Sequence, residues 1–413
     1  MTTATTAVAD AHRREWAYVL AATVRVTRDL DAAEEAVQDA YVQALTAWER
    51  DGVPARPGAW LTTAARRNAL NMLRRARTLE LKLPLLLGPD DTDTVLPEAQ
   101  AVPDDRLRLI FTCCHPALAQ QARIALTLRL VCGVATPDIA HAFLVSEPTM
   151  AARITRAKKK IAAARIPYAV PTAEDLPERV DTVLTVIHLL YTTGHTASSG
   201  QNLVRDDLTA RAFDLACMLH ALLPDNRETA GLLALLLVHE ARRATRTGLD
   251  GRLLRLEEQD RTRWDRDLIA EADRLIVAAL TAGPPGRFTL QAAIAALHAQ
   301  APSYRDTDWP QILMLYTELQ RIWPSPVVAL NRAVAVSMVD GPEAALTEVE
   351  ALEADGRLAT YRYLHATKAD LLHRLGRDAE AVEAYQAALA LTDNAAEQQF
   401  LTERVDRLEF GRP

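Results

Sequence analysis

Glycine is scarce in this chain, at 15 of 413 residues, aromatics make up only 5%, and there are four cysteines. No Gly-rich phosphate loop and no GxSxG elbow occurs, so the usual signatures of nucleotide and acyl-transfer enzymes are missing. Cys113, Cys114, Cys132 and Cys217 fit neither a disulfide framework nor a CxxC metal spacing. The longest apolar run is AGLLALLLV, residues 230–238, far short of the ~20 residues a membrane span needs. The first residues, MTTATTAVADAHRREW, have no apolar core of the signal-peptide kind. A soluble, cytoplasmic protein is expected.

What the chain has in quantity is alanine, leucine, arginine and glutamate, with 49% hydrophobic residues. That composition favours helix almost throughout and supplies ample packed core. The expected fold class is all-α, divided into two or three domains at ~150 residues each.

A net charge of -7 conceals two unlike halves. Residues 1–166 carry 22 Lys and Arg against 18 Asp and Glu, a balance of +4; residues 167–413 carry 25 against 36, a balance of -11. Six of the N-terminal acids (Asp90, Asp91, Asp93, Glu98, Asp104, Asp105) fall in residues 83–105, which hold no base; without them that half stands at +10. Such asymmetry suggests a nucleic-acid-binding half joined to a half with another task. A chance basic patch is the plain alternative. The split also predicts an intramolecular contact between the two halves.

Residues 11–50 read as one or two amphipathic helices, with Val37, Tyr41, Val42 and Leu45 as apolar positions behind the acidic run DLDAAEEAVQDA. GVPARPG, residues 52–58, breaks the pattern. In the next helix, AWLTTAARRNALNMLRRAR, Trp60, Leu61, Ala64, Ala65, Ala69, Met72 and Leu73 can face a core. Arg66, Arg67, Arg74, Arg75 and Arg77 share that helix with Trp60, Asn68 and Asn71. Cations beside Asn and an aromatic suit partly melted nucleic acid, whose bases can be stacked and hydrogen-bonded. Residues 83–104, rich in Pro and Asp, read as a linker.

In PDIAHAFLVSEPTMAARITRAKKKI, residues 137–161, Thr136 can cap a short helix and Ser146 a second one with Pro148 near its start. Met150, Ile154, Ala157 and Ile161 recur at four, three and four, and Thr149, Arg153, Arg156 and Lys160 do the same on another face. This is the layout of a helix-turn-helix whose second helix offers Arg and Thr to base edges and Lys to phosphates. A solvated amphipathic helix is the alternative for the segment taken alone.

The order of parts is more specific than any one of them. An acidic helix, a basic Trp-bearing helix, an acidic linker and a helix-turn-helix within 166 residues resemble a bacterial RNA polymerase sigma factor of the extracytoplasmic-function type. The resemblance covers residues 10–166. It implies that Asp31, Glu34, Glu35, Gln38 and Asp39 face core polymerase. It implies that Trp60, Arg66, Arg67, Asn68, Asn71, Arg74 and Arg75 face the promoter -10 strand. It places Ser146, Thr149, Arg153, Arg156 and Lys160 at the -35 duplex. Asn71 stands where such proteins commonly carry Asp.

The implied layout is region 2 over 10–82, a linker over 83–104, region 4 over 105–166, a helical extension over 175–300 and tetratricopeptide-like repeats over 305–413. The repeat signal is LHATKADLLHRLGRDAEAVEAYQAALAL, where Ala381, Tyr385 and Ala388 share a face, with a comparable unit at 331–352. The extension looks like that of one sigma subfamily, which modulates activity. No cofactor and no enzymatic step are expected; the partners are core RNA polymerase and promoter DNA. One rival reading is a stand-alone helix-turn-helix regulator with a repeat-type sensor. Another is a ligand-binding or enzymatic C-terminal domain with a DNA-binding head. HEARR at 239–243 begins like a zinc-protease helix, but Arg243 stands where the second His would be. CCH at 113–115 points three groups in different directions, as buried thiols would. His188, His195, Tyr191 and Ser198 flank or occupy the apparent loop YTTGHTASSG and are candidate pocket residues.

Overall fold

Arg28, at φ 54, ends one helix in the left-handed region, and Asp29 starts the next by accepting Ala32 N–H at 2.8 Å. The two helices are α1 (Thr3–Thr27) and α2 (Leu30–Asp51), and α3 (Pro57–Lys82) follows the GVPARPG break. These are elements of a computed structural model that describes residues 3–82, 105–143, 145–195, 199–200, 206–248 and 252–411. The expected linker at 83–104 and Ser198 lie outside the described residues. Among the described residues there are eighteen α-helices, and none is long and apolar enough to cross a membrane.

The chain forms two units, Met1–Val186 and Ile187–Pro413. In the first, α1, α2 and α3 pack on one another through Val19, Leu20, Ala36, Val37, Leu61 and Ala65, all fully buried. Trp48 and Trp60 meet edge to face at 5.8 Å. Of the seven core candidates on α3, Leu61, Ala64, Ala65 and Ala69 are buried, Trp60 and Met72 are half-buried, and Leu73 is exposed. On α2 the expectation fails for Val42 and Leu45, which are 64% and 41% exposed. An α2 face packed on α1 and α3 at Val37 and Tyr41 leaves those two beyond the reach of either neighbour.

The rest of this unit is α4 (Asp105–Cys113), α5 (Gln120–Leu126), a π-helical turn (Thr127–Val131), α6 (Thr136–Ala142) and α7 (Glu147–Ala163). Trp16 on α1 donates its indole N–H to Leu130 O at 3.0 Å, tying the two halves of the unit. Gly133 fits this seam because its φ is +68 and a Cβ there would come within 2.9 Å of His12 Cε1. Cys113 and Cys114 are buried, with Cys114 Sγ 3.4 Å from Thr127 Oγ1. Burial pushes the Cys114 thiol up to about 11. The segment after α7, up to residue 175, is irregular backbone, yet Tyr168 within it is held: its hydroxyl donates to Ala21 O at 2.9 Å. The unit boundary falls inside α8 (Leu176–His195). The first half of YTTGHTASSG is therefore helix, not loop.

The second unit continues with α9 (Asp206–Leu222), α10 (Arg227–Arg242), α11 (Arg266–Thr281), α12 (Arg287–Gln300) and α13 (Trp309–Ile322). Helix α10 contains AGLLALLLV, apolar on every side, and it is buried all round by α9, α11 and α12. Helical hairpins complete the unit: α14 (Pro326–Val339) with α15 (Pro342–Asp355), then α16 (Arg362–Arg374) with α17 (Asp378–Ala390), closed by α18 (Ala395–Phe410). Ala381, Tyr385 and Ala388 are buried in the core these helices share.

The Gly-Arg break between α16 and α17 is a Schellman turn: Gly376, at φ +73, donates to His373 O, and Arg377 N–H donates to Leu372 O at 2.9 Å. Two residues at the start of the extension, Ser199–Gly200, pair in parallel with Asp393–Asn394 just ahead of α18.

Candidate polymerase and promoter interfaces

Along α2 the acidic residues divide by exposure. Glu35, Gln38 and Asp39 are exposed, and Val42 and Leu45 continue the same stripe at helical spacing. Glu34 is 6% exposed and turned inward. Its carboxylate pairs with Arg129 of the π-helical turn and with Lys158 of α7, the latter at 2.7 Å. Lys158 also reaches Asp31 at 2.6 Å. Burial alone would lower the Lys158 ammonium, but the hydrogen bonds to Asp31 and Glu34 outweigh it and hold the group above its ordinary value. Gln38 donates to the other Glu34 oxygen at 3.3 Å. Two of the five expected polymerase-facing residues thus serve an ionic seam, and the first lysine of KKK closes it.

On α3, Arg67, Asn71, Arg74 and Arg75 are exposed, while Arg66 and Trp60 are half-buried. Asn68 is spoken for: its amide donates to Ala36 O at 3.2 Å and its carbonyl accepts from Gln43 at 3.2 Å. It positions α3 against α2. Arg74 and Arg75, C-terminal to it, lie on the exposed part of the helix.

Helix α7 keeps both faces that its spacing predicts. Met150, Ile154, Ala157 and Ile161 are all buried, each large member worth roughly 1.5–3 kcal/mol of burial. Thr149, Arg156 and Lys160 are exposed and Arg153 is half-buried. Ser146 works as the N-cap: its hydroxyl lies 3.4 Å from Thr149 N and 2.8 Å from Thr149 Oγ1. Arg156 donates Nε to Ala152 O at 3.2 Å, which leans its guanidinium along the helix. Pro148 and Glu147 occupy the first turn, where a fixed φ and a negative charge both favour helix.

The seam and the exposed Val42 and Leu45 were not foreseen. A run of alternating charge and apolar residues carries no sign of a partner 124 positions away. The exposed pair did carry a signal, since the apolar positions of α2 span more of the helix than one packing face needs.

Three sequence comparisons bear on this geometry. Residues 11–78 match sigma-70 region 2, residues 108–161 match sigma-70 region 4, and residues 179–280 match a family of unknown function, DUF6596. A protein of Rhizobium meliloti (strain 1021), itself uncharacterized, is 44% identical over 395 residues, covering 94% of this chain and 93% of that protein. No solved structure matches the chain. With acidic α2, basic α3 and the helix-turn-helix in the order and places those two region models occupy, the chain belongs to the sigma factors of the extracytoplasmic-function type and carries a C-terminal extension.

Proposed function

We propose that this sigma factor binds core RNA polymerase through the exposed stripe of α2, directs it to a promoter and helps open the DNA there. The exposed basic side of α3 serves the -10 strand and the polar face of α7 the -35 duplex, with the extension modulating activity. The observation that carries this reading is the pairing of an unfilled acidic and apolar stripe on α2 with a cationic α3 beside it. A DNA-binding head alone has no use for that stripe.

The ionic seam adds a condition. Glu34, buried while it holds Arg129 and Lys158, cannot meet a polymerase in this arrangement, whereas Asp31 stays exposed beside Lys158. Engagement through Glu34 requires α7 to leave α2, so for that residue the described arrangement is a closed form. The same seam is what favours the rival reading, a stand-alone regulator, in which it would never open.

Run-off transcription with purified core polymerase and the full chain decides between them. A promoter-specific transcript is expected, weakened by Gln38→Ala combined with Val42→Ala. No transcript from any promoter, with sequence-specific DNA binding intact, would establish the regulator instead.

A further inference from the structure

The second unit holds a pocket of about 350 Å³, partly open to solvent, between α8, α10, α12, α13 and α14. That is room for a small ligand by the usual scale of binding sites. Its apolar wall includes Leu235, Ile294, Leu319 and Trp323; its polar groups are His188, His239, Arg242, Gln291, His298 and Asn331. No carboxylate lines it.

Arg242 is the group that needs explaining. Among the described residues it forms no ion pair; its terminal nitrogen lies 3.3 Å from His239 Nδ1, and its guanidinium stacks over Trp264 at 5.7 Å. Its Nε is buried with no hydrogen-bond partner. Burial first, and the charges of Arg246 and Arg261 next, push this guanidinium down to about 10. An enclosed cation without a counter-charge is costly, and proteins retain one where something binds to it.

The histidines do not relieve it. Burial and then neighbouring arginines lower His188 and His298 to about 4; burial, then His195 and the arginines, lower His239 strongly too, so all three are neutral at pH 7. With Nδ1 accepting from Arg242, His239 keeps its proton on Nε2, where it is a donor. His298 Nδ1 is buried without a partner.

We propose that this cavity binds a small organic carboxylate with an apolar or aromatic body, its head on Arg242 and His239 and its body against Ile294, Leu319 and Trp323. One unpaired guanidinium matches one carboxylate in charge and in planar geometry. The apolar wall disfavours a compact polyanion. His188, Leu235, His239 and Arg242 fall within the stretch matching the family of unknown function, and the rest of the cavity comes from the helices after it. The inference concerns the second unit only and stands whether or not the chain drives transcription.

The test is calorimetric titration of the full chain with phenylacetate, benzoate and salicylate. Phenylacetamide and inorganic phosphate serve as controls. At least a tenfold preference for phenylacetate over its amide is expected. Arg242→Gln should abolish that preference, and Ile294→Trp should block binding by filling the cavity while leaving the charge in place. Circular dichroism establishes that both variants are folded. Equal binding of acid and amide, tighter binding of phosphate, or no binding of any acid to the unaltered chain would overturn the proposal.

Discussion

Lys158 and Arg242 are both cations withdrawn into the protein, and they are treated in opposite ways. Lys158 meets two carboxylates within 2.7 Å and is held in its charged form. Arg242 meets none and is pressed towards the neutral one. The paired charge fastens two helices that are distant in sequence, so its work is done inside the molecule. The unpaired charge touches His239 and Trp264 but meets no counter-charge among the described residues, and that role falls to the proposed ligand. Where a buried charge finds its partner therefore separates a structural seam from a candidate binding site.

The largest way to disturb this contrast is Glu34→Ala. It strands Arg129 and leaves Lys158 with Asp31 alone, and breaking a buried pair from one side costs up to about 3–5 kcal/mol. Urea denaturation of the full chain should show that loss in the transition reporting residues 1–186; a loss under about 1 kcal/mol would mean the seam is merely surface.

Acid is the next lever, and it acts on the second unit. His188 and His298 are at about 4 in the fold against an ordinary value of 6.5. Between those two values the unfolded chain takes protons that the folded one refuses. Stability is therefore full above pH 6.5 and declines towards pH 4, by up to about 1.4 kcal/mol per pH unit for each histidine. Hydrogen exchange over residues 187–413 at pH 7 and pH 5 measures it, and equal protection would contradict the buried neutral state. The Lys158 seam has the opposite sign: a raised lysine stabilises at low and neutral pH and is lost only as pH climbs through its elevated value.

A smaller effect belongs to α7. Arg153→Ala or Arg156→Ala should each cost on the order of 1–3 kcal/mol of sequence-specific binding where the side chain touches a base. Titrations against promoter and scrambled duplexes distinguish this from a uniform loss, which would mean phosphate contact only. Least of all should Arg242→Gln disturb folding. Removing a cation with no counter-charge is expected to shift the unfolding free energy by less than about 1 kcal/mol, and a large destabilisation would show that Arg242 is structural after all.

Local spacing made much of this legible. The buried series Met150, Ile154, Ala157, Ile161 and the trio Ala381, Tyr385, Ala388 follow from helical period alone. So does the cap at Ser146. What spacing lacks is knowledge of the partner. Val42 and Leu45 look like core until α1 and α3 prove too narrow to cover them. Lys158 looks like one more solvated cation until α2 supplies two acids. HEARR, set aside as an incomplete zinc motif, brings His239 and Arg242 to the cavity wall, because residues three apart share a helix face.

The short parallel pairing of Ser199–Gly200 with Asp393–Asn394 bears on how such an extension can evolve. An open stack of helical hairpins lengthens or shortens by whole copies, since each touches only its neighbours. Here Ser199–Gly200, between α8 and α9, are stitched to the segment ahead of α18. A hairpin added between them would have to be accommodated without separating that pairing, a constraint that an open stack does not carry.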